Sequence, residues 1–326
     1  MPQSVISIRD LSKDFGEKSN IVHAVRGLTL DVQPGEMFGL VGPDGAGKTS
    51  TIRLLCGILE PTSGSGTILG LDLQKEIEKI KRDIGYLSQR FSLYPDLTID
   101  ENIEFFAEIH EVKDYKPRRE ELLEFTRLTP FRKRLADKLS GGMKQKLALA
   151  STLIHKPKII YLDEPTTGVD PVSRRDFWKI LSSLLRQGIT IVMATPYLDE
   201  AERCSRVALM DKGRLLDADT PQNIKARMKG SVVELVLSDV RKGYNVLKES
   251  TEFQEVQAFG DRLNLVLDDV NGQLPRVQNL LKQASIQVIQ ERVIPTSLEN
   301  VFISLMSDTA EQERADEERK RLEVAA

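Results

Sequence analysis

The chain has 326 residues, of which 40% are hydrophobic and 29% charged, and its formal net charge at pH 7 is -3. These values fit a globular protein of two or three domains and provide no overall positive field that would attract nucleic acid. The sequence has neither a basic N-terminal segment with an apolar core nor a run of about 18 apolar residues, so we expect no signal peptide and no membrane span. Cys56 and Cys204 lie far apart among apolar residues, which predicts structural thiols in a reducing compartment rather than a disulfide.

The first segment, residues 4–32, alternates between apolar and polar side chains. This pattern predicts short β-strands with a break at residues 14–19. Phe15 lies at the break and fits two roles. It could close a turn over a small core, or it could offer a flat face on which a nucleobase stacks, an interaction worth about 1–3 kcal/mol.

A glycine-rich loop follows an apolar strand predicted at residues 37–41 and precedes a helix predicted from Thr51. The loop fits G-x-x-x-x-G-K-[ST], a pattern that binds nucleotide phosphates when it lies between a strand and a helix. Its residues are Gly42, Pro43, Asp44, Gly45, Ala46, Gly47, Lys48, Thr49 and Ser50. The glycines allow backbone N–H groups to approach phosphate at a helix N-terminus. Lys48 would then reach the β- and γ-phosphates, and the Thr49 hydroxyl would bind Mg²⁺.

The segment after this loop contains turn residues and short strands. Residues 60–66 include a proline and two glycines, which predicts a turn. Short strands are predicted at residues 67–69 and 83–87, with a charged helix at 74–81 between them. Gln89 leaves the second of these strands, and its carboxamide could bind a metal ion or lie in an ordinary surface loop.

Residues 100–155 have helical periodicity and contain a second glycine-rich helix start. Ser140 fits an N-cap, and Gly141 and Gly142 expose the backbone N–H groups of the helix that follows. The segment fits either a second anion-binding helix start or a simple capped turn.

An apolar strand predicted at residues 159–162 ends in two adjacent carboxylates, Asp163 and Glu164. Buried strands rarely end in adjacent acids without a cation nearby. Because a phosphate loop lies upstream, Asp163 is predicted to be linked to Mg²⁺, and Glu164 is predicted to polarise the attacking water.

Taken together, these motifs resemble the ATP-binding cassette (ABC) family of transport ATPases. The resemblance covers residues 5–224 and rests on motifs in this order: 42–50, Gln89, 139–145, 161–165 and Asp170. It implies an α/β fold, a P-loop NTPase cassette, with residues 1–224 as the ATP-binding domain and residues 91–155 as its helical lobe. It also implies ATP and Mg²⁺ as cofactors. Two cassettes would pair head to tail, so that each ATP lies between one phosphate loop and the signature of the other cassette.

The same resemblance implies a role for each motif. Phe15 would stack on adenine, and Gln89 would sense Mg²⁺, for which Thr49 and Asp163 would be further ligands. Glu164 would be the catalytic residue. The residues implied to contact ATP from the partner cassette or to cross the dimer interface are Ser140, Gly141, Gly142, Gln145 and Asp170.

Two positions depart from the family pattern. Pro196 stands where members usually carry a histidine that hydrogen-bonds the γ-phosphate, and proline has neither a side-chain donor nor a backbone N–H. Loss of one donor aimed at developing charge typically slows a reaction about 10²–10³-fold. Asp44 replaces a usual asparagine and adds some repulsion toward phosphate. We therefore expect this chain's own site to bind MgATP but to hydrolyse it slowly, whereas its intact signature can complete a competent site on a different partner cassette.

Residues 225–308 predict a small α+β accessory domain with the element order β-α-β-β-α-β, that of a split βαβ sandwich. A final helix is predicted to start at Thr296, with Glu299 completing a capping box. Its apolar stripe fits packing on its own domain or contact with a second subunit, and consists of Leu298, Val301, Phe302 and Leu305. The charged residues 309–326 predict a frayed helix or disorder.

The segment at residues 295–302 is similar to the end of cassette subunits from transporters that export drugs, lipids or polysaccharides. The resemblance therefore implies an ATPase subunit, peripheral on the cytoplasmic face of the cell membrane, whose dimer closure drives export by separate integral membrane subunits. A groove near Gln89 would contact those subunits. The side chains there that suit this contact, or equally a local core, are Phe91, Leu93 and Tyr94.

Two alternative functions stay open. One is a non-catalytic nucleotide-binding regulator, which Pro196 favours. The other is a soluble cassette ATPase of translation or DNA repair, which the single cassette, the ordinary helical lobe and the lack of a basic stripe disfavour.

Overall fold

A computed structural model describes residues 3–17, 20–90, 92–250, 253, 255–307 and 309. The chain divides into two compact units, Met1–Asp219 and Thr220–Ala326. None of the helices in the described ranges combines the length and apolar character that a membrane span requires. The predicted contact residue Phe91 and almost all of the predicted charged tail lie outside the described residues.

The first unit contains ten strands and seven α-helices among its described residues. In chain order the strands are β1 (Ile6–Phe15), β2 (Val22–Val32), β3 (Met37–Val41), β4 (Ser63–Ile68), β5 (Leu71–Asp72), β6 (Ile84–Leu87), β7 (Ile159–Asp163), β8 (Thr190–Thr195), β9 (Arg206–Asp211) and β10 (Arg214–Asp219). The helices are α1 (Lys48–Leu55), α2 (Ile77–Lys81), α3 (Ile99–Ile109), α4 (Tyr115–Phe125), α5 (Gly141–Leu153), α6 (Pro171–Arg186) and α7 (Leu198–Ala201). Short 3₁₀ turns occur at Thr129–Phe131 and Ala136–Lys138.

The core of this unit is a six-stranded sheet in the spatial order β10-β9-β3-β8-β7-β6. β3 pairs in parallel with β8 and β9, and β7 pairs in parallel with β6 and β8. Every residue of β3 and β7 is buried, which explains their uninterrupted apolar sequences. Because the strands run the same way, the residues that follow β3, β6, β7 and β8 meet at one edge of the sheet, where open α/β sheets bind ligands.

A second sheet, with the order β2-β1-β4-β5, is antiparallel. The turn predicted at residues 60–66 is wrong in its second half, because β4 begins at Ser63 and pairs with β1. A Cβ atom on Gly66 would lie 2.8 Å from the Ile8 side chain, and one on Gly64 would lie 2.3 Å from the Asp10 carbonyl oxygen. These glycines therefore permit close contact with β1 instead of ending a strand.

The helical region follows β6. α3 begins with a capping box in which Thr98 accepts from the backbone of Glu101 and the Glu101 carboxylate accepts from Thr98. α3 packs on α4 and α5, and the buried side chains at its centre are Ile103 and Ala107. The predicted helical periodicity of residues 100–155 thus corresponds to α3, α4 and α5, joined by turns.

The second unit is built around a four-stranded antiparallel sheet in the order β12-β13-β11-β14. Its elements in chain order are α8 (Pro221–Ala226), β11 (Ser231–Leu237), α9 (Val240–Lys248), β12 (Glu255–Phe259), β13 (Arg262–Leu267), α10 (Val270–Gln283), β14 (Val288–Ile294) and α11 (298–307). From β11 to β14 the element order is the predicted β-α-β-β-α-β. Alternate residues of β11 and β13 pack with α9 and α10 in one apolar core.

The cap of α11 differs from the prediction by one position. Ser297, not Thr296, precedes the helix, and its hydroxyl accepts a hydrogen bond from the backbone N–H of Asn300 at 3.2 Å. Asn300, not Glu299, returns the bond by accepting from the Ser297 backbone N–H at 3.0 Å. Asn300 is fully buried and also donates to the Gln257 side chain at 2.8 Å. This long-range contact fixes the helix start, and it has no local sequence signal.

Three residues of the apolar stripe of α11 are buried within this chain. Leu298, Val301 and Phe302 are buried in the isolated chain. These three residues are therefore covered without a second subunit, and packing of the stripe on its own domain stays a prediction.

Both cysteines are buried and unpaired in the described part of the chain, as predicted. Burial raises the pKa of the Cys204 thiol to about 12 and raises that of Cys56 well above its usual value. Neither thiol is therefore poised for redox chemistry.

Candidate nucleotide-binding site

The phosphate loop leaves β3 at the carboxyl edge of the central sheet and turns directly into α1. Gly47 is the N-cap of α1 with a φ of 97°, and Gly45 has a φ of 82°, values in the left-handed region that glycine tolerates best. A Cβ atom on Gly42 would lie 2.1 Å from the Met210 carbonyl oxygen of β9. The backbone course and the close contact with β9 therefore both require glycine in this loop.

Lys48 is held inside the loop by the carbonyl groups of the loop itself. Its ammonium donates to the carbonyl oxygens of Gly42 at 2.7 Å and Pro43 at 2.9 Å, and the residue is only 4% exposed. Burial lowers the pKa of Lys48, and the carboxylates of Glu164 and Asp44 partly oppose this shift. The loop thus contains one buried cation that can pair with phosphate oxygens.

Thr49 and Asp163 are brought together as predicted for a Mg²⁺ site. The Thr49 hydroxyl donates to Asp163 Oδ1 at 2.8 Å, and the Tyr86 hydroxyl lies 3.4 Å from Asp163 Oδ2. Burial raises the pKa of Asp163 and the Glu164 charge raises it further, whereas the Thr49 hydrogen bond lowers it. A divalent cation would offset this burial cost, so the oxygen pair fits Mg²⁺. The described residues contain no group of three or more His, Cys, Asp or Glu side chains arranged so that it could hold a metal ion.

Glu164 has an unusual backbone conformation, with a φ of 49°. Its backbone N–H donates to the Ala194 carbonyl oxygen of β8 at 2.9 Å. Its carboxylate accepts hydrogen bonds from the Gln89 amide at 2.8 Å and the Thr167 hydroxyl at 3.3 Å. A left-handed glutamate persists only where its surroundings hold it, and such residues concentrate at functional sites.

A cleft of about 830 Å³ lies over the loop, a size typical of small-molecule sites. The predicted site residues that line it are Phe15, Asp44, Gly45, Gly47, Lys48, Thr49, Ser50, Gln89 and Glu164. Phe15 is 39% exposed at its wall. The predicted loop residues Gly42, Pro43 and Ala46 are not among the lining residues and shape the loop from behind.

Part of the cleft wall was missed by the sequence reasoning. The further lining residues are Ile21, Val22, His23, Ala24, Arg26 and Lys212. Phe15 pairs with Val22 across the β1–β2 hairpin, so the register of that hairpin would have indicated the β2 residues. Lys212 and Gly213, both with positive φ, form the two-residue hairpin turn between β9 and β10. No local signal places that turn at the cleft, because its position is fixed over distance: the Gly213 N–H donates to the Ala46 carbonyl oxygen at 3.1 Å.

The signature residues and Asp170 lie elsewhere on the first unit. Ser140 caps α5, accepting from the Met143 backbone N–H at 3.3 Å. Asp170 caps α6, accepting from the Ser173 backbone N–H at 2.9 Å. A Cβ atom on Gly142 would lie 2.3 Å from the Ser173 hydroxyl, so the two helix starts are packed side by side. None of the five predicted residues of this second group lines the cleft. They are Ser140, Gly141, Gly142, Gln145 and Asp170.

Gln145 differs from the others in this group because it is buried. Only 4% of the residue is exposed, and its amide nitrogen has no hydrogen-bond partner among the described residues. The side chain therefore lies within its own chain, which leaves little of it for contact with a partner's nucleotide.

Pro196 directly follows β8, beside the catalytic edge. Ala194 of β8 is the register partner of Asp163 on β7, so Pro196 lies two residues beyond the level of that carboxylate. Thr195 Oγ1 accepts a hydrogen bond from the Tyr197 N–H at 3.1 Å. The turn that contains Pro196 therefore begins directly after β8, and Pro196 offers it neither a side-chain donor nor a backbone N–H.

Comparison with known proteins identifies the family of this chain. The family described as "ABC transporter" matches residues 25–167. Nod factor export ATP-binding protein I of Paraburkholderia xenovorans is 35% identical over 312 residues, which cover 94% of this chain and 98% of that protein. The chain belongs to the ABC transporter family. The predicted family and the predicted fold class are thereby confirmed.

Other relatives extend the comparison. The linearmycin resistance ATP-binding protein LnrL of Bacillus subtilis is 30% identical over 94% of this chain and 99% of that protein. The probable multidrug ABC transporter ATP-binding protein YbhF of Escherichia coli is 39% identical over 228 residues, and the matched part is 39% of its length. The dimeric post-hydrolysis structure of the ATP-binding cassette MJ0796 with ADP and Pi superimposes with a TM-score of 0.61 at 26% identity, over 66% of this chain and 98% of that one. The chain is thus similar over most of its length to ATP-binding proteins of ABC transporters.

Proposed function

We propose that this ABC protein is the ATP-hydrolysing subunit of an exporter, which pairs with a second cassette and drives separate membrane subunits from the cytoplasmic face of the membrane. One observation carries the proposal. A single cleft gathers an exposed aromatic face, the phosphate loop, the Thr49 hydroxyl and the Gln89–Glu164 pair, with Asp163 bonded to Thr49. These are the parts that phosphoryl transfer from ATP requires.

Each side chain performs one task in the proposed reaction. Phe15 stacks on adenine, and Lys48 pairs with the β- and γ-phosphates. Thr49 and Asp163 hold Mg²⁺, which, when bound, neutralises phosphate charge during transfer. Glu164 accepts the proton of the attacking water, and the Gln89 amide, bonded to it at 2.8 Å, orients its carboxylate.

Dimerisation is supported by the separation of the two helix starts. The start of α1 lies in the cleft, whereas the start of α5 at Ser140 lies outside it. A second cassette that brings its own Ser140 to this cleft would complete the site, which is the head-to-tail arrangement that the family resemblance implies. The related cassette MJ0796 is dimeric in its solved structure.

The turn at Pro196 supports a slow reaction at this chain's own site. Lys48, Thr49 and Asp163 are all in place to bind MgATP, but the histidine donor is absent. Pro196 also favours a second candidate function, a regulatory cassette that binds ATP without hydrolysing it. Steady-state hydrolysis with and without a partner cassette distinguishes the two functions.

Export is supported by the relatives, whose names include Nod factor export and linearmycin resistance. A surface near Gln89 suits contact with membrane subunits. Leu93 lines a small depression with Tyr86 and Phe106. Tyr94 is 45% exposed, and its ring packs edge-on against Phe105 at 4.3 Å between centroids, so it serves both the local core and the surface.

Nucleotide-dependent dimerisation tests the proposal. The Glu164→Gln variant retains the shape of the site and removes the base, so it should form a stable dimer with MgATP, detected by light scattering after gel filtration. Lys48→Ala should stay monomeric under the same conditions, and Lys81→Ala, which alters a surface lysine paired with Glu78, should behave like the unmodified chain. A Glu164→Gln chain that neither binds nor dimerises with MgATP would contradict the proposal.

A further inference from the structure

A buried carboxylate behind the cleft joins the two turns that carry Glu164 and Pro196. Glu200 lies on the short helix α7 and is 1% exposed. Its Oε2 accepts a hydrogen bond from the Thr195 hydroxyl at 2.8 Å, and its Oε1 accepts one from the Thr166 hydroxyl. Both hydroxyl-bearing residues are buried as well, so neither bond competes with solvent.

The positions of these two threonines give the contact its significance. Thr166 lies two residues after Glu164, and Thr195 lies directly before Pro196. One carboxylate therefore spans the ends of two neighbouring strands, β7 and β8, just beyond the point where the backbone of Glu164 bonds to Ala194. Glu200 thereby fixes the distance between the loop that carries Glu164 and the turn that carries Pro196.

Arg174 extends this contact toward the helix that begins at Asp170. Its Nε lies 4.0 Å from Glu200 Oε1 and makes no hydrogen bond among the described residues. Its guanidinium lies over the ring of Tyr197, 5.4 Å from the centroid. Arg174 is in the first turns of α6, so the network joins α6 to the turn on both sides of Pro196.

We propose that Glu200 is a positioning residue for ATP hydrolysis, which holds Glu164 in register with the turn at Pro196 by binding Thr166 and Thr195 together. The inference rests on the proposed function. Glu200 is not among the residues that line the cleft, so it acts through its two partners and not on the nucleotide. Pro196 has no hydrogen-bond donor that could fix the turn. The position of the turn must therefore be set by its neighbours, such as Thr195, which bonds to Glu200.

The positioning role is tested by removing each hydroxyl without changing side-chain shape. Thr166→Val and Thr195→Val should each lower kcat for ATP hydrolysis about tenfold, as loss of one hydrogen bond to a carboxylate implies, with KM for ATP unchanged. Glu200→Gln, which can still bond to both threonines, should lower kcat less than Glu200→Ala. Single-turnover assays on the full chain, in the unmodified and Pro196→His backgrounds, make a slow reaction measurable.

Thr126→Val is the matched control. Thr126 is also fully buried, and its hydroxyl donates to the Leu122 carbonyl at 2.7 Å in the helical region. It should lower the melting temperature as the other two variants do and leave kcat unchanged.

The outcomes separate the two proposals. Three results would overturn the positioning role alone. The first is a normal kcat in Thr166→Val and Thr195→Val, and the second is a rise of KM for ATP in these variants as large as the fall of kcat. The third is an equal loss of kcat in Thr126→Val. Absence of hydrolysis in both backgrounds would contradict the proposed function, and with it the reaction that Glu200 is said to position.

Discussion

The phosphate loop and the turn after β8 lie at the same edge of the central sheet, yet they are supported differently. The loop supplies Lys48 and Thr49 to the proposed MgATP site, and its own backbone holds Lys48 through the Gly42 and Pro43 carbonyls. The turn has a proline where the family resemblance implies a histidine donor, and it is held from behind by buried Glu200. From this difference we expect binding and hydrolysis to depend on separate parts of the site and to be separable by mutation.

The largest effect that would separate the two parts is expected from Glu164→Gln. This variant removes the base but can still bond to Gln89, so hydrolysis should fall by about 10²–10⁴-fold and the affinity for MgATP should stay the same. Phosphate release and equilibrium nucleotide binding measure the two quantities, with surface Glu78→Gln as the control. A parallel loss of binding would show that the two parts are not separable.

A smaller effect on the binding side is expected from Phe15→Ala. Loss of one stacked base costs about 1–3 kcal/mol, so the dissociation constant for MgATP should rise by about 5- to 150-fold, while Phe15→Tyr should keep the affinity. Titration calorimetry measures both variants. Tyr94→Ala removes another exposed aromatic side chain outside the cleft and should change nothing; an unaltered affinity in Phe15→Ala would remove Phe15 from the adenine site.

The smallest expected effect concerns the stability of the nucleotide-free chain. Burial raises the pKa of Asp163, so the folded state binds a proton more readily than the unfolded state, and the free energy of unfolding falls as pH rises above the usual value near 3.8. Asp163→Asn removes this cost and should raise the melting temperature at pH 7 by about 2–4 °C. The gain should shrink on acidification toward pH 4.

Scanning calorimetry at pH 7 and pH 4 checks this prediction. With added MgATP at pH 7, the unmodified chain should have the higher melting temperature, because only the unmodified chain keeps the Mg²⁺ ligand Asp163. A melting temperature that is lower in Asp163→Asn without nucleotide would contradict the claim that the carboxylate is destabilising before Mg²⁺ binds.

The part of the site that the sequence predicts is the part that local backbone chemistry determines. The phosphate loop is contiguous, and its glycine pattern follows from the left-handed φ values at Gly45 and Gly47. The predicted roles of Asp163 and Glu164 follow from their position, because these two acids end an apolar strand. The role of Gln89 follows from the family resemblance. Its hydrogen bond to Glu164 depends on the parallel pairing of β6 with β7.

The remaining features depend on contacts between distant residues. Lys212 reaches the cleft because Gly213 bonds to Ala46, and no pattern near residue 212 indicates this. The segment around Gly66 has the composition of a turn, but Gly66 lies in strand β4 because Ile8 packs directly against it. The start of α11 is set by the buried pair of Asn300 with Gln257, which outweighs the local capping pattern.

The most direct test of the separation between binding and hydrolysis is single-turnover hydrolysis by Pro196→His compared with the unmodified chain. If the missing donor is what slows this site, Pro196→His should hydrolyse ATP up to about 10²–10³-fold faster with its affinity for MgATP unchanged. An unmodified chain that already hydrolyses ATP at an ordinary transporter rate, or a Pro196→His chain with no gain, would contradict the account.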